Sequence, residues 1–492
     1  MRRSLSSHDG KAIFHLDSLF LCFEGQSADE FDAMAAAMPR DLDTAAAAIK
    51  NGQAEQAIGF LIKHCHEFIH YHQFVGTQFG LVYRRLVAAR ARIREYLLQD
   101  IGADAYRSLM DEGAGRGALL TLAGADQLSL HQIVKAHADP SIIEILGWLD
   151  LFEDYLLKGE FSDLFASSGR VRAILEACEA ITRPKGSVEI SEVLKALVTA
   201  QSEMWKAPPV SKGLLTICEA QATVNEFVLH ASRETRGLEE KRRTWYESSY
   251  WDIPKRFGWT TSATPKEFTR IAAAVLLATD IALDGIVSPS LHAAPTGRLI
   301  LHPSQAVDAL AVSYKAWRHV LDNPLETWRR EDFLERREYA AKAAFGTNHP
   351  ALFDIPPCRP EDGEDRHEHA LIQYLGVFAA LQQRITKVRS LDPVAALFPV
   401  SAIRERPETF MGTNDHLWNL TCPFISVGGS PYQNHIDEET WVRWRLLSGY
   451  EIWLDNMFGG WGEDFEHLPG DAHLLGAIRD IAKIRIESAH AM

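Results

Sequence analysis

The sequence predicts a predominantly α-helical protein with a small β component, an α+β fold whose few strands lie in the N-terminal half. Most apolar residues recur at the three- to four-residue spacing of buried helix faces. Only residues 12–25 combine aromatic and branched side chains densely enough to suggest strands. The chain has 492 residues, 46% of them hydrophobic, which is enough for a large core in two or more domains.

The N-terminal half is predicted to begin with one or two strands and to continue as helices. Residues 12–25 end at a glycine, which favours the end of a strand there. The segment from Ala54 to Leu98 contains no proline and has the long apolar periodicity of a buried helix. The other helices predicted in this half are 29–50 (interrupted at Pro39), 140–165, 170–181, 189–206 and 211–230.

A charged run separates this half from a second, mainly helical half. Residues 233–243 form either a solvated helix face or a linker, and the solvated face is the simpler interpretation. We therefore predict one domain over residues 1–235 and a helical domain over 236–492 that covers or extends the cleft of the first. The helices predicted in the second domain are 265–284, 303–322, 326–345, 366–390, 437–457 and 471–488.

Charge and cysteine usage restrict the partners and the compartment. The net charge is −15 and no basic tract stands out, so neither nucleic acid nor an anionic membrane is an expected partner. The longest apolar run, Ile271 to Leu283, is too short to span a bilayer. We expect no secretory signal, because the two early arginines precede no apolar stretch. Six widely spaced cysteines are typical of reduced, mostly buried thiols in a cytoplasmic protein. The oligomeric state is left open.

One short motif indicates a metal site. His66, Glu67 and His70 form the pattern H-E-x-x-H. On a helix, residues four apart lie about 40° apart around the axis, so both imidazoles can bind one metal ion. Glu67 lies beside them, within reach of a metal-bound water. The pattern predicts zinc as the cofactor and Glu67 as a catalytic base.

The surroundings of the motif favour this interpretation over chance. A stripe that is polar in its middle runs along the predicted helix, through Ile62, His66, Ile69, His70, Gln73 and Thr77. The flanking positions are apolar, and a buried helix that turns polar groups inward is unfavourable unless something satisfies them. A zinc ion would do so. The alternative is a helix with partly exposed histidines.

A third metal ligand has to come from a separate element. The metzincin extension would place a glycine at position 73 and a histidine at 76, where this chain has Gln73 and Gly76. On later helices, Glu219 is the preferred candidate and Glu176 and Glu179 are alternatives, and spacing alone also leaves a different residue open. Each could equally be an exposed helix carboxylate, although the helix around Glu219 is mostly apolar.

The region around Glu219 resembles the gluzincin class of zinc metallopeptidases. Those enzymes carry H-E-x-x-H on one helix and often E-G-x-A-x-x-x-E on a later one, and residues 219–226 here are E-A-Q-A-T-V-N-E. The resemblance implies that Glu219 is the third zinc ligand and that Glu226 supports a ligand or the fold. It also implies a zincin-like metallopeptidase domain over residues 1–235. The usual glycine is Ala220, which is still small enough for close helix packing.

The motif is also similar to a group of bacterial proteins with H-E-[FY]-x-H-[FY]-x-Q followed by T-x-x-G. Residues 66–73 and 77–80 match both parts of that pattern. Together the resemblances cover about residues 10–260. They say nothing about the substrate beyond a protein or peptide.

Several further residues could complete such a site. Tyr250 is the preferred donor to a developing oxyanion, with Tyr246 and His230 as alternatives and plain aromatic packing as the simpler interpretation. His64 and His72 flank the motif but point away from His66, so we expect them at the surface or behind the ligands. His15 and Asp17 could orient a ligand imidazole, although a plain polar strand face is the simpler expectation.

Three functions remain to be distinguished. The first is a zinc metalloendopeptidase with Glu67 as general base and His66, His70 and Glu219 as ligands. The second is a non-catalytic zinc-binding protein that retains the site. The third is a helical interaction or scaffold protein in which the motif is accidental. The first two predict stoichiometric zinc, and only the first predicts hydrolysis.

Overall fold

The structure is a computed structural model that describes part of the chain. The described residues are 4–6, 12–23, 66–100, 139–165, 168–182, 193–195, 197, 210–231, 249–260, 262–284, 302–323, 327–346, 369–391, 393–397, 424–427, 430–433 and 438–457. The predictions for 29–50, 233–243 and 471–488, most of 189–206, and the domain boundary at 235 lie outside them. The division into two domains stays a prediction.

Helices dominate the described residues, as predicted. In chain order they are α1 (66–76), α2 (Gln78–Asp100), α3 (Pro140–Lys158), α4 (Ser168–Ile181), α5 (Leu214–Ala231), α6 (Asp252–Arg256), α7 (Pro265–Asp284), α8 (Pro303–Val312), α9 (Tyr314–Trp317), α10 (Arg330–Phe345), α11 (His369–Leu391), α12 (Pro393–Leu397) and α13 (Glu438–Met457). Two 3₁₀ turns, Ser249–Trp251 and Arg318–Leu321, precede α6 and follow α9. No helix among the described residues is long and apolar enough to cross a membrane.

The described strands form one five-stranded sheet in the order β1-β2-β3-β4-β5. The strands are β1 (Ser4–Ser6), β2 (Ala12–His15), β3 (Leu21–Phe23), β4 (Phe424–Val427) and β5 (Ser430–Gln433). Neighbouring pairs are antiparallel except β3 and β4, which run parallel with Leu21 opposite Ile425. The strands predicted within 12–25 are confirmed, whereas β1, β4 and β5 were not predicted.

Local chemistry explains where several helices begin and end. Asp139 caps α3 by accepting a hydrogen bond from the Ser141 amide at 2.8 Å, and Pro140 occupies the first turn. The same helix ends at Gly159, whose φ of 78° is the left-handed conformation that favours glycine. The predicted helix 140–165 is therefore too long, because this C-terminal signal was missed.

The predicted helix 54–98 is not continuous. It bends at Thr77, whose hydroxyl donates to the Gln73 carbonyl at 2.6 Å and accepts from the Gly80 amide at 3.1 Å. A Cβ at Gly80 would overlap the Phe74 carbonyl, so the bend depends on glycine at that position. The hydroxyl thus helps to end α1 and to start α2, and α2 can take a new direction.

A buried group of four charged residues holds α1 near this bend. We name it the arginine–aspartate quartet; its members are Asp280, Asp284, Arg337 and Arg389. The aspartates lie one turn apart on α7, and the arginines come from α10 and α11. Arg389 Nη2 lies 2.7 Å from Asp280 and 2.6 Å from Asp284, and Arg389 Nη1 donates to the Gly76 carbonyl. The quartet therefore connects three later helices to the C-terminal end of α1.

The sheet and α5 enclose α1. Phe14 on β2 is fully buried, and its ring centroid lies 6.3 Å from that of His70 and 6.1 Å from that of Phe74. This contact confirms the prediction of strands beside the motif helix. Gly213, at the start of α5, approaches the end of α3 so closely that a Cβ would overlap the Leu157 carbonyl. The position of α5, and so of Glu219, depends on that close approach.

Candidate metal centre

The motif residues lie on the first turns of α1 that the structure describes. His66, Glu67 and His70 are buried, with 2%, 0% and 0% of their surface exposed. The two imidazoles lie on one side of the helix, with ring centroids 4.9 Å apart in an edge-to-face arrangement. Helical spacing brings both rings towards α5, as the sequence pattern predicts.

α5 brings Glu219 to this pair across about 150 residues of chain. The Oε2 atom of Glu219 lies 3.3 Å from His66 Nε2 and 3.8 Å from His70 Nε2. One ligand atom from each of the three residues lies within 4.8 Å of the others, and all three side chains are buried. We call His66, His70 and Glu219 the metal cluster, because these three residues could hold a metal ion.

The other candidate ligands lie elsewhere. Glu176 on α4 is partly exposed and forms an ion pair with Arg172 at 2.8 Å. Glu179 is partly buried on the same helix. Among the described residues, neither belongs to a group that could hold a metal.

One of the three spacings within the metal cluster matches that of ligands around a tetrahedral ion. Two ligand atoms, each about 2.05 Å from such an ion, lie about 3.3 Å apart. His66 Nε2 and Glu219 Oε2 are separated by 3.3 Å. Within the described residues, neither nitrogen of His66 nor Nε2 of His70 has a hydrogen bond of good geometry. Buried imidazole nitrogens without such bonds are unfavourable, and a cation bound beside Glu219 would satisfy Nε2 of both rings.

Electrostatics in the cluster favour a positive charge. Burial lowers the pKa of His66, but Glu219, Glu226 and Glu67 raise it, so its pKa lies well above the ordinary value. At His70, burial is the largest effect and lowers the pKa to about 4, with Glu219 opposing it and His66 adding to it. In the absence of a metal the carboxylates keep a proton on His66, whereas His70 is neutral.

Two side chains contact the outer nitrogens of the imidazoles. Glu226 Oε2 lies 3.3 Å from His66 Nδ1, which is where the resemblance to gluzincins suggested a supporting carboxylate. Gln73 Oε1 lies 2.8 Å from His70 Nδ1. The sequence analysis placed Gln73 in the polar stripe and at the end of the bacterial pattern but gave it no role. Its spacing of i+3 from His70 was the signal that could have identified it.

The structure describes some of the remaining predicted residues. Tyr250 is 36% exposed, and its pKa is raised by burial and by the negative charge of Glu219. His72 is buried against the Phe68 ring, with centroids 4.3 Å apart, so of its two expected positions, at the surface or behind the ligands, the first is excluded. Tyr246 and His64 lie outside the described residues, as does the side chain of His230.

His15 and Asp17 are both buried. Asp17 lies in the turn between β2 and β3, where it accepts a hydrogen bond from the Tyr83 hydroxyl at 2.6 Å. The contacts to the imidazoles described above come from Gln73 and Glu226 instead. From the same segment, Phe14 packs against the ring of His70.

A pocket lies next to the metal cluster without including it. Its lining residues are Ile69, His72, Gln73, Thr77, Gln221, Asp280, Leu283, Arg389 and Leu397. It therefore borders the far side of Gln73, between α1, α5 and the quartet. None of the three possible ligands contributes to its wall.

No family model, curated protein or solved structure matches this chain. The resemblance to gluzincins continues to rest on the two motifs and on the residues that they name.

Proposed function

We propose that the protein is a cytoplasmic zinc metallopeptidase that hydrolyses peptide bonds in a protein or peptide substrate. The main support is the convergence of His66, His70 and Glu219, whose ligand atoms lie within 4.8 Å of one another in a buried position. Two imidazoles and one carboxylate are a typical ligand set of catalytic zinc, and three protein ligands leave one position for water or substrate. The proposal includes a zincin-like arrangement of the N-terminal half.

The chemistry divides between the ion and the chain. A bound zinc ion would supply Lewis-acid activation of water and of the substrate carbonyl. Glu67 follows His66 directly, and its charge contributes to the raised pKa of that imidazole. A carboxylate beside the ligands can accept the proton of the attacking water and then deliver it to the leaving amine.

Tyr250 is the proposed donor to the substrate oxyanion. Burial and the charge of Glu219 raise its pKa, so its hydroxyl keeps its proton at neutral pH and can donate. The residue lies in the 3₁₀ turn Ser249–Trp251, and the fully buried Trp251 packs against Phe227 of α5 with ring centroids 5.4 Å apart. The turn is thereby held against the helix that carries Glu219.

The burial of the cluster supports a second candidate, a non-catalytic metal-binding protein. Glu67 and His70 have no exposed surface, and Glu219 has only 5%. Structural zinc sites are closed, whereas catalytic sites keep an accessible position. Hydrolysis distinguishes the two candidates, because both predict bound zinc.

The decisive experiment compares zinc content and peptide cleavage in wild type and Glu67→Gln. Zinc per chain is measured by mass spectrometry. Cleavage is measured on a library of peptides derived from unfolded proteins. We expect about one zinc in both proteins and a loss of about 10²- to 10⁴-fold in cleavage rate for the variant, because general-base catalysis is removed. A Tyr250→Phe variant should keep its zinc, and its cleavage rate should fall by about 10²-fold.

Other outcomes would contradict the proposal. Zinc without any cleavage by wild type would favour the non-catalytic candidate. Cleavage that survives in Glu67→Gln would exclude Glu67 as the base. A wild type without zinc would leave the helical scaffold as the remaining function.

A further inference from the structure

We propose that Gln73 is a positioning residue, which makes His70 a metal ligand through Nε2 and fixes that imidazole to the helix that carries Glu219. The inference rests on the proposed metal site and adds a requirement that neither H-E-x-x-H nor the glutamate motif at residues 219–226 contains, and it gives a role to the glutamine that ends the bacterial pattern. It depends on three hydrogen bonds of one buried amide, which is 4% exposed.

The orientation of the Gln73 amide follows from its partners. Its Nε2 atom lies 3.0 Å from the backbone carbonyl of Cys218 and 2.6 Å from Oε1 of Gln221. A backbone carbonyl can only accept a hydrogen bond, so the atom that faces it has to be the NH₂ group. The two hydrogens of that group then serve the two acceptors, and Oε1 points in the opposite direction.

This orientation determines the tautomer of His70. Gln73 Oε1 lies 2.8 Å from His70 Nδ1 and can only accept, so Nδ1 carries the hydrogen. In the neutral ring, Nε2 is then left with a lone pair, 3.8 Å from Glu219 Oε2. Two acceptors that face each other in a buried space repel unless a cation lies between them. The amide therefore directs a ligand lone pair towards the metal cluster.

The same amide also fixes the distance between the two helices. Cys218 precedes Glu219 on α5, and its carbonyl is separated by 145 residues of sequence from Gln73. Through this bond and the bond to Gln221, one side chain relates a ligand on α1 to the ligand on α5. Residues that orient metal-binding imidazoles typically affect metal affinity by about 10- to 100-fold.

The two imidazoles are supported by different chemistry. His66 Nδ1 faces the carboxylate of Glu226, whereas His70 Nδ1 faces a neutral amide. The amide adds no further negative charge to a site that already has Glu67, Glu219 and Glu226 nearby. Gln73 can thus orient His70 without weakening the Lewis acidity of a bound ion.

The test measures zinc affinity by competition with a chromophoric chelator. The variants are Gln73→Leu, Gln221→Leu and the matched control Gln382→Leu. Gln382 on α11 is also buried, at 1% exposure, and has no hydrogen-bond partner among the described residues. We expect Gln73→Leu to bind zinc about 10- to 100-fold more weakly, because His70 loses its acceptor. In Gln221→Leu, zinc affinity should fall by a smaller factor, because the hydrogen bond from Gln73 to the Cys218 carbonyl remains. The control Gln382→Leu should bind zinc as tightly as wild type.

A double variant separates positioning from general destabilisation. Because Gln221 acts through Gln73, adding Gln221→Leu to Gln73→Leu should weaken zinc binding no further. The thermal midpoint of each zinc-free protein, measured in excess chelator, identifies any variant that is merely less stable. Wild-type affinity in Gln73→Leu, or an equal loss in Gln382→Leu, would overturn the inference. Absence of zinc from wild type would instead overturn the proposed metal site itself.

Discussion

The metal cluster, on α1 and α5, and the arginine–aspartate quartet, on α7, α10 and α11, are two buried groups of ionisable residues that differ in charge. The quartet contacts the C-terminal end of α1 through Arg389. In the quartet, two arginines face two aspartates, with nitrogen–oxygen distances between 2.6 and 3.3 Å. In the metal cluster, Glu219 faces two imidazoles, with the carboxylates of Glu67 and Glu226 nearby. The quartet balances its own charge, whereas the cluster has an excess of acceptors.

This difference shows which buried polar groups indicate a ligand. Burial alone does not, because the quartet is as buried as the cluster. An ion pair in a protein interior compensates its desolvation through its partner. In the metal cluster a proton on His66 compensates the carboxylates, and a bound cation can take the place of that proton. Substitutions in the quartet should therefore affect folding, and those in the cluster should affect metal binding.

The largest expected effect is in the quartet. Asp284→Asn removes a charge that contacts both Arg337 and Arg389, and leaves an unbalanced buried arginine. We expect the free energy of unfolding to fall by about 3–5 kcal/mol, measured by urea denaturation of the zinc-free protein. Zinc affinity at temperatures where the variant is folded should change less than in Gln73→Leu.

An exposed ion pair provides the matched control for this substitution. Asp322 pairs with Arg270 at 2.7 Å and is 59% exposed. Asp322→Asn should therefore lower the free energy of unfolding by less than about 1 kcal/mol. Equal losses in the two variants would show that the quartet contributes no more than a surface pair.

The next effect concerns removal of the metal. At a free zinc concentration about a hundredfold above Kd, binding stabilises the folded state by about 3 kcal/mol, and a chelator should remove that stabilisation. His66→Ala, which lacks a ligand, should show no response to chelator. The response of wild type and of His66→Ala is measured as the difference between the thermal midpoints with and without chelator. The same chelator shift in His66→Ala as in wild type would place the metal elsewhere.

A smaller effect comes from a buried imidazole outside both groups. Burial lowers the pKa of His302 to about 4. Unlike His70, it has partners for both nitrogens: Nδ1 accepts from the Ser304 amide at 3.2 Å, and Nε2 lies 2.9 Å from the Leu156 carbonyl. Its folded pKa is below the unfolded value, so the unfolded state binds more protons as pH falls from about 6.5 to 4. The contribution of His302 to the free energy of unfolding is therefore present at neutral pH and is lost as the pH falls across that interval.

His302→Asn tests this pH dependence. Asparagine can still cap α8 but does not titrate. We expect wild type to lose about 2 kcal/mol more than the variant between pH 7 and pH 4.5, measured by urea denaturation in chelator. Parallel losses in the two proteins would show that His302 does not contribute to acid sensitivity.

The sequence predicted the local parts of this site better than the long-range ones. His66, Glu67 and His70 follow from helical spacing, and Glu219 from a resemblance between short motifs. The contact of Gln73 with α5 depends on a tertiary arrangement that periodicity does not contain. The same is true of the bend at Thr77, because helix propensity favours continuation while packing decides where a helix turns.

In the sheet, too, only the local features could be predicted from the sequence. The strands β4 and β5 are separated in sequence only by Gly428 and Gly429, a recognisable hairpin signal that was overlooked. The parallel pairing of β3 with β4 carries no local signal, because it joins residues about 400 positions apart. The quartet likewise unites α7, α10 and α11, and no local pattern relates their charges.

The pairing of β3 with β4 also sets an order in time during synthesis. Translation at about 5–20 residues per second needs roughly 20–80 s to proceed from β3 to β4. Throughout that interval β3 has an open edge, and open edges can pair with other chains. Nascent protein is therefore exposed to misassociation until Phe424–Val427 emerges from the ribosome. Chains released before that point should be targets for chaperones and proteases, whatever the state of their metal centre.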